Sequence, residues 1–507
     1  MRMKQLLSAA SAARSVAALA VAAGTLSMLP MQSAQAVPSY SRQFGMECST
    51  CHTMWGALNA AGVQFRLSGY RAIGGRDLKP VSPDIEISKD VSLPSTLPLS
   101  FITGVGLDSR TETRRASDGT STTRRASSIS LEDASIFMTS ALGKHLSAFV
   151  EFPMYETKAW EFTPTGKFEA NDKTTARHFR FTAESPAFEV AKFWWNNLLG
   201  DSAPRDSVNL LAGITHLPLG YASGKVRLSV NQYLIYERRA LDLISPTKAS
   251  ALLGDANDYA FRLGEPQLMA EVNGMLTFGK PVTDIAKRDT FWAEYHLGLT
   301  NGSNGKADNN AQKDVYGRWV MRWYNQSLGF FAYHSADNYD DTLRTDASQA
   351  ANPGVGIMSG RHDANRSNRV GVDMTLSLLP TGVPVWLENQ YMSNEESSPT
   401  GFGTPFKWRG GFHQLNWQPS KTTIAYARYD WIKADAFNDR GLTVNGVNGV
   451  TTSKPSESDV ILGWQHLVNQ NVKLIAEVRH HVFEDKATPT SARLTDNGFT
   501  MRVMFGF

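Results

Sequence analysis

From about residue 97 to the end of the chain, apolar and polar residues alternate with a period of two. Phe291, Ala293, Tyr295, Leu297 and Leu299 alternate with Trp292, Glu294 and His296. Val315, Gly317, Trp319, Met321 and Trp323 alternate with Tyr316, Arg318 and Arg322, and Ala425, Ala427, Tyr429 and Trp431 with Arg428 and Asp430. Val472, Leu474, Ala476 and Val478 do the same against Lys473, Glu477 and Arg479. Successive strand residues point to opposite faces, so each run predicts a strand with one apolar and one polar face.

A half-buried sheet in a soluble sandwich gives the same alternation. Two features favour a membrane barrel. Tight turns at Gly143-Lys144, Asn325-Gln326-Ser327, Pro419-Ser420-Lys421 and Asn469-Gln470-Asn471 alternate with long polar loops at 302–313, 337–366, 395–404 and 434–456. Outer-membrane barrels have this asymmetry, with short periplasmic turns and long external loops. The chain also ends in an alternating strand, Phe499 to Phe507, with a terminal Phe. The expected fold is therefore all-β: a transmembrane antiparallel β-barrel over 97–507 with about sixteen strands. The count rises to eighteen if 174–186 and 225–238 both belong to the wall. If Val226, Leu228 and Val230 belong to an external loop instead, that loop folds inward; sixteen is preferred.

At the other end, Arg2, Lys4 and Arg14 precede an apolar run from Val16 to Ala23, and Ala34-Gln35-Ala36 is a small-residue cleavage site. This is the layout of a signal peptide over 1–36. Removing its three cations from the formal charge of +3 leaves a neutral mature chain, without the basic excess of a nucleic-acid binder. No other segment approaches the roughly 18 uninterrupted apolar residues of a membrane helix.

Export gives the two cysteines their meaning. Cys48-Ser49-Thr50-Cys51-His52 holds both. Haem c is bound through two thioethers at this spacing, with the adjacent His on the iron. A thioredoxin-like dithiol needs a βαβ context that is absent here, and a zinc site needs nearby ligands, yet the next histidine is His145. The site reading is one covalent haem c on Cys48 and Cys51, with His52 as axial ligand to the haem iron. No conventional catalytic residue is singled out. Trp55, Leu58 and Phe65 fall near helical spacing, which predicts a short helix laying that face on the porphyrin. Residues 37–75 form this α-helical cytochrome segment, too short for a core of its own, and proline-rich 76–96 reads as a linker. Met46 and Met54 are the nearby methionines, but both sit too close to the motif to reach the opposite haem face. The distal ligand is left open.

Together with Phe65-Arg66-Leu67-Ser68-Gly69-Tyr70, Leu131-Glu132-Asp133-Ala134-Ser135 and Gly264-Glu265-Pro266-Gln267, the exported motif resembles the fused monohaem cytochrome–porin family of the outer membrane, of the iron-oxidising type. The chain departs from that family at Thr53-Met54-Trp55-Gly56-Ala57-Leu58, where relatives carry a proline-containing segment. The resemblance implies a haem inside the barrel or at its periplasmic mouth. It also implies electron transfer from an extracellular donor, expected to be ferrous iron, to a periplasmic cytochrome or other carrier, and hence ferrous iron oxidation. Outer-membrane lipid would surround the barrel. A porin-like channel with a haem-bearing plug or sensor is the alternative, and electron export to extracellular acceptors a third reading.

Several other groups are candidates for tuning or binding. Arg318, Arg322, Arg428, Asp430, Glu477 and Arg479 face the lumen, where they either pair with one another or meet the haem propionates. Asp337, Asp340, Asp341 and Asp346 are oxygen donors on one loop, with the composition of any solvated porin loop. Arg114, Arg115, Arg124 and Arg125 are placed on the first external loop, against anionic lipopolysaccharide. His480 and His481 are adjacent on a strand and so point to opposite faces.

Overall fold

The computed structural model describes residues 38–73, 76–115, 119–155, 161–162, 168–169, 188–222, 227–244, 261–278, 291–305, 311–323, 325–337, 365–399, 404–439, 443–444, 447–448, 451–486 and 492–507. Sixteen antiparallel strands close into one barrel. In chain order they are β1 (Leu99–Arg115), β2 (Ser121–Leu142), β3 (Leu146–Tyr155), β4 (Val190–Trp195), β5 (Asn209–Thr215), β6 (Gln267–Phe278), β7 (Phe291–Thr300) and β8 (Asp314–Trp323). The second half is β9 (Gln326–Asp337), β10 (Asn365–Ser377), β11 (Val385–Glu396), β12 (Phe406–Ser420), β13 (Thr423–Ala434), β14 (Pro455–Asn469), β15 (Val472–Asp485) and β16 (Ala492–Gly506). Each strand pairs with its neighbours in sequence, and β16 closes on β1 from Gly506↔Ile102 to Arg493↔Arg115.

The predicted strand count of sixteen holds. Of the two doubtful stretches, 174–186 lies outside the described residues. Residues 227–238 of the other are not in the wall; they fold into the lumen. Short connections after Leu142, Trp323, Ser420 and Asn469 mark one barrel end, where the chain both enters and leaves; the longest connections mark the other.

The alternation read from sequence is an inside–outside code. In β7, Leu297 is 62% exposed on the outer surface while His296 is buried in the lumen. Trp323, Leu415, Trp417 and Leu462 add to the apolar exterior, and Arg428, Asp430 and Glu477 are buried inside. An apolar outer surface around a closed barrel is what lipid contact requires, because closure leaves no backbone edge unpaired. No described helix is long and apolar enough to cross a membrane; the strands do so.

One placement is corrected. Arg114, Arg115, Arg124 and Arg125 are not on a loop but within β1 and β2, which pair out to Arg115↔Ser121. Strand β2 has 22 residues, far more than the roughly 9–11 that cross a bilayer, so this hairpin rises well beyond the apolar band. Arg114 is held there by Glu112, Nε to Oε1 2.6 Å. His480 and His481 separate as expected: His480 is exposed beside Asn497, and His481 faces inward on Glu457 at 3.2 Å.

Two inward segments fill the lumen. The first is the N-terminal segment, with helices α1 (Pro38–Phe44) and α2 (Ala60–Leu67). The second is a plug, residues 227–244, containing α3 (Leu234–Glu237) and α4 (Ala240–Ile244). Tyr233, Leu234, Ile235 and Tyr236 are fully buried on the plug, so their apolar surface is matched against the wall rather than water.

Candidate functional site

Cys48–Thr50 form a single 3-10 turn, closed by Cys51 N donating to Cys48 O at 3.1 Å. His52–Met54 then pairs with Ala57–Leu58 in a small hairpin whose reversal uses Gly56 at φ +106°. Helix α2 follows at once, because the Asn59 side chain accepts from Gly62 N at 2.9 Å and caps it. A Cβ on Gly62 would collide with the Cys51 carbonyl oxygen, so the glycine is what lets α2 lie on the motif.

This local geometry overturns the expectation that Trp55, Leu58 and Phe65 share a helical face. The hairpin interrupts the period, and only Phe65 is helical. Trp55 packs with Ile102, Phe137, Ile475 and Met504, and Leu58 with Val63, Leu67, Met275 and Trp292. Phe65 stacks edge-on against Tyr40 and Tyr70, at 5.2 and 5.4 Å. The segment thus borrows its core from the barrel wall, as its length demanded.

The motif sits in the lumen at the short-turn end. Cys48 Sγ lies 3.7 Å from Gln470 Oε1 in the β14–β15 turn, and Gln418 Nε2 donates to Thr53 O at 2.9 Å. Lys473 Nζ donates to Trp55 O at 3.0 Å. A Cβ on Gly506, at the end of β16, would come within 2.8 Å of the Trp55 ring. Neither cysteine is in a disulfide, and both are half-buried. Burial, then proximity to Cys48, pushes the Cys51 thiol up to about 12. Dithiol exchange runs through a thiolate, so this thiol is poorly suited to it. Burial first, and the Lys473 ammonium second, push His52 down to about 4, which keeps the imidazole neutral and its lone pair available to a metal. His52 Nδ1 is buried without a hydrogen-bond partner.

Cys48, Cys51 and His52 share the wall of a cavity of about 1780 Å³. It runs from Gln470 and Lys473 at the short-turn end to Arg262, Asn304 and Gly305 at the long-loop end. Met46, Met54, Phe65, Leu217, Leu219, Ile475 and Met504 supply apolar surface along it. The residues present fit a haem: two thiols and a neutral imidazole on one largely apolar cavity, with an orphaned ring nitrogen. Donors for a sixth coordination position are more numerous than the sequence suggested. Met46 and Met54 line the cavity, but so do His216, Met269, His296 and Met504. Met269 Sδ accepts from Tyr316 OH at 3.2 Å, whereas His296 Nδ1 lies 2.8 Å from Glu271 and leaves its buried Nε2 without a hydrogen-bond partner.

The lumen arginines singled out from sequence each meet a carboxylate of the lumen, though only Arg428 and Asp430 join two members of that set. Arg318 meets Asp373 at 2.8 Å, Arg322 meets Glu294 at 2.9 Å, Arg428 meets Asp430 at 3.1 Å and Arg479 meets Asp459 at 2.7 Å. Arg428 also donates to Asn231 O and Gln232 O, and Glu477 accepts from Val230 N and Asn231, so these two hold the plug. Other cations, outside that set, line the cavity with the motif, among them Arg66, Lys192, Arg227, Lys473 and Arg502. Alternation had put Lys473 on the inner face, but nothing in a sequence says which inner residue lies level with an inserted segment. Asp340, Asp341 and Asp346 lie outside the described residues; Asp337 ends β9 and pairs with Asn365. Among the described residues no group of three or more His, Cys, Asp or Glu could hold a metal ion.

No family model and no curated protein sequence matches the chain. Solved structures similar to it include an anion-selective porin from Comamonas acidovorans, 11% identical, covering 80% of this chain and 99% of that one at a TM-score of 0.43. The outer membrane channel DcaP of Acinetobacter baumannii is 8% identical over 84% of this chain and 100% of its own, at 0.41. OmpT, an outer membrane protein of Vibrio cholerae, is 11% identical over 84% and 100%, at 0.39.

Proposed function

We propose that this barrel is an outer-membrane electron-transfer protein carrying one haem c on Cys48 and Cys51, with His52 on its iron. The observation that carries the reading is the position of the motif: inside the lumen, on a cavity that reaches both barrel ends. When bound, the haem supplies a one-electron ferric/ferrous couple. The chain's own residues do the rest. His52 is kept neutral for ligation. Phe65, Met54 and Ile475 exclude water around the site, which favours the less charged ferrous state. The barrel wall insulates the site across an apolar band roughly 25 Å tall. An extracellular donor, with ferrous iron the expected one, would reach the cavity past Asn304 and Gly305. A periplasmic carrier would dock at the turn end beside Cys48 and Gln470.

The same cavity also favours a second reading, a porin-like transport channel whose N-terminal segment serves as plug or sensor. One experiment separates them. Proteoliposomes enclosing a redox dye, given external ferrous iron without oxygen, reduce the dye only if electrons cross. Solute uptake without dye reduction would establish the channel instead. Pyridine haemochrome absorption, lost in Cys48→Ala, tests attachment directly.

A further inference from the structure

We infer that His296 is the second axial ligand of the haem iron, offered through Nε2 and held in place by Glu271; this rests on the proposal that a haem is attached. His296 stands on the inner face of β7, its side chain only 5% exposed. It pairs with Asn273 of β6, so Glu271 is its diagonal neighbour on that face. Nδ1 lies 2.8 Å from Glu271 Oε1, while the buried Nε2 has no hydrogen-bond partner. Glu271 is fixed in turn by Tyr316 OH, 2.6 Å from Oε2, and by Asn273 Nδ2, 2.8 Å from Oε1. A carboxylate held in this way accepts the Nδ1 proton. That leaves the lone pair on Nε2 and makes the ring a stronger donor to a metal. A buried nitrogen with no partner costs free energy, and coordination would recover it.

The donor set points to the kind of ion. Among the described residues no group of three or more His, Cys, Asp or Glu could hold a bare cation. One prepared imidazole suits an ion whose other positions are filled already, and an iron held by a porphyrin and His52 needs one donor more. Helix α2 links the motif to this imidazole. Its Gly62 lies on the Cys51 carbonyl; five residues on, a rise of about 7–8 Å, Leu67 O accepts from Asn209 Nδ2 at 3.2 Å. Asn209 Nδ2 also reaches Asn273 Oδ1 at 3.4 Å, and Asn273 leads to Glu271 and His296. Val63 and Leu67 of α2 pack on Trp292, which shares the inner face of β7 with His296. Gly62, Phe65 and Arg66 line the cavity together with His52 and His296. Two competing sulfurs are packed elsewhere. Met54 is buried among Leu228, Trp386 and Ile461, and Met504 Sδ sits against Gly104 of β1.

The test uses the full-length protein in detergent, with haem content read by pyridine haemochrome and barrel integrity by heat-modifiable gel migration. Ferric wild type is expected to be low-spin by electron paramagnetic resonance, without the thioether-to-iron charge-transfer band of methionine ligation. His296→Ala should turn the haem high-spin, and added imidazole should return it to low-spin. Glu271→Gln keeps both ligands but weakens the ring as a donor. It should stay low-spin and shift the ferric/ferrous equilibrium toward ferrous by up to about tenfold, about 59 mV upward for one electron. An unchanged potential there removes Glu271 from the assignment. A His296→Ala protein that stays low-spin, with intact barrel and full haem content, overturns it. So does a wild-type spectrum that is high-spin or methionine-ligated, a result that needs no variant. Wild-type protein without a haemochrome spectrum sinks the haem reading itself, a separate result.

Discussion

The two inward segments differ in how far polar groups hold them. The plug is tied down by polar groups that are nearly all matched. Arg238 meets Glu457, with Nε to Oε2 at 2.8 Å, Tyr233 OH donates to Gln414 at 3.0 Å, and Arg428 and Glu477 clamp residues 230–232. The cysteine-motif segment is seated largely by apolar packing and close backbone approach, at Gly62 and Gly506, on the wall of an open cavity. The plug is complete as a polypeptide. The motif is a socket with room in it.

That contrast can be broken at either segment. Replacing residues 227–244 with a flexible Gly-Ser linker should have the largest effect. Removing one of the two segments that fill a sixteen-stranded wall should raise single-channel conductance in planar bilayers several-fold, up to about tenfold. Unchanged conductance would mean that the plug is not what closes the lumen. Arg238→Met strips the arginine from Glu457, a carboxylate only 1% exposed, leaving it His481 alone, and should cost about 3 kcal/mol of unfolding free energy in detergent. At the socket, Gly506→Ala forces a methyl against the Trp55 ring and should cost about 1–2 kcal/mol. Protease nicking of the N-terminal segment should rise while the barrel stays heat-modifiable; equal sensitivity in both would show the segment to be part of the wall's own stability. Smallest is Tyr233→Phe, which removes one hydrogen bond to Gln414 and should cost about 1 kcal/mol by thermal unfolding, without altering conductance.

The wall was legible in the sequence because a period of two, repeated through β7, β8, β13 and β15, has one physical cause. Strand count and polarity followed from turns such as Asn469-Gln470-Asn471. The plug was only half legible. Leu228 and Val230 read equally well as a wall strand or an infolded loop, and hydrogen bonds from residues some two hundred positions away decide it. The motif was legible as chemistry but not as shape. Helical spacing at Trp55 and Leu58 was outweighed by one glycine turn and one asparagine cap, both local features that periodicity does not weigh. His296 was legible as an inner-face residue, but its pairing with Glu271 was not, because that is a matter of register between β6 and β7.

The contact between Trp55 and Gly506 also imposes a calendar on the protein. Gly506 belongs to the strand that seals the barrel against β1, and Trp55 follows the cysteine motif by only four residues. Once that seam is shut, a protein-sized catalyst cannot work on Cys51 from within the lumen. If a group is joined to these thiols by an enzyme, that step would have to precede closure of the seam, and assembly into the membrane would wait for it.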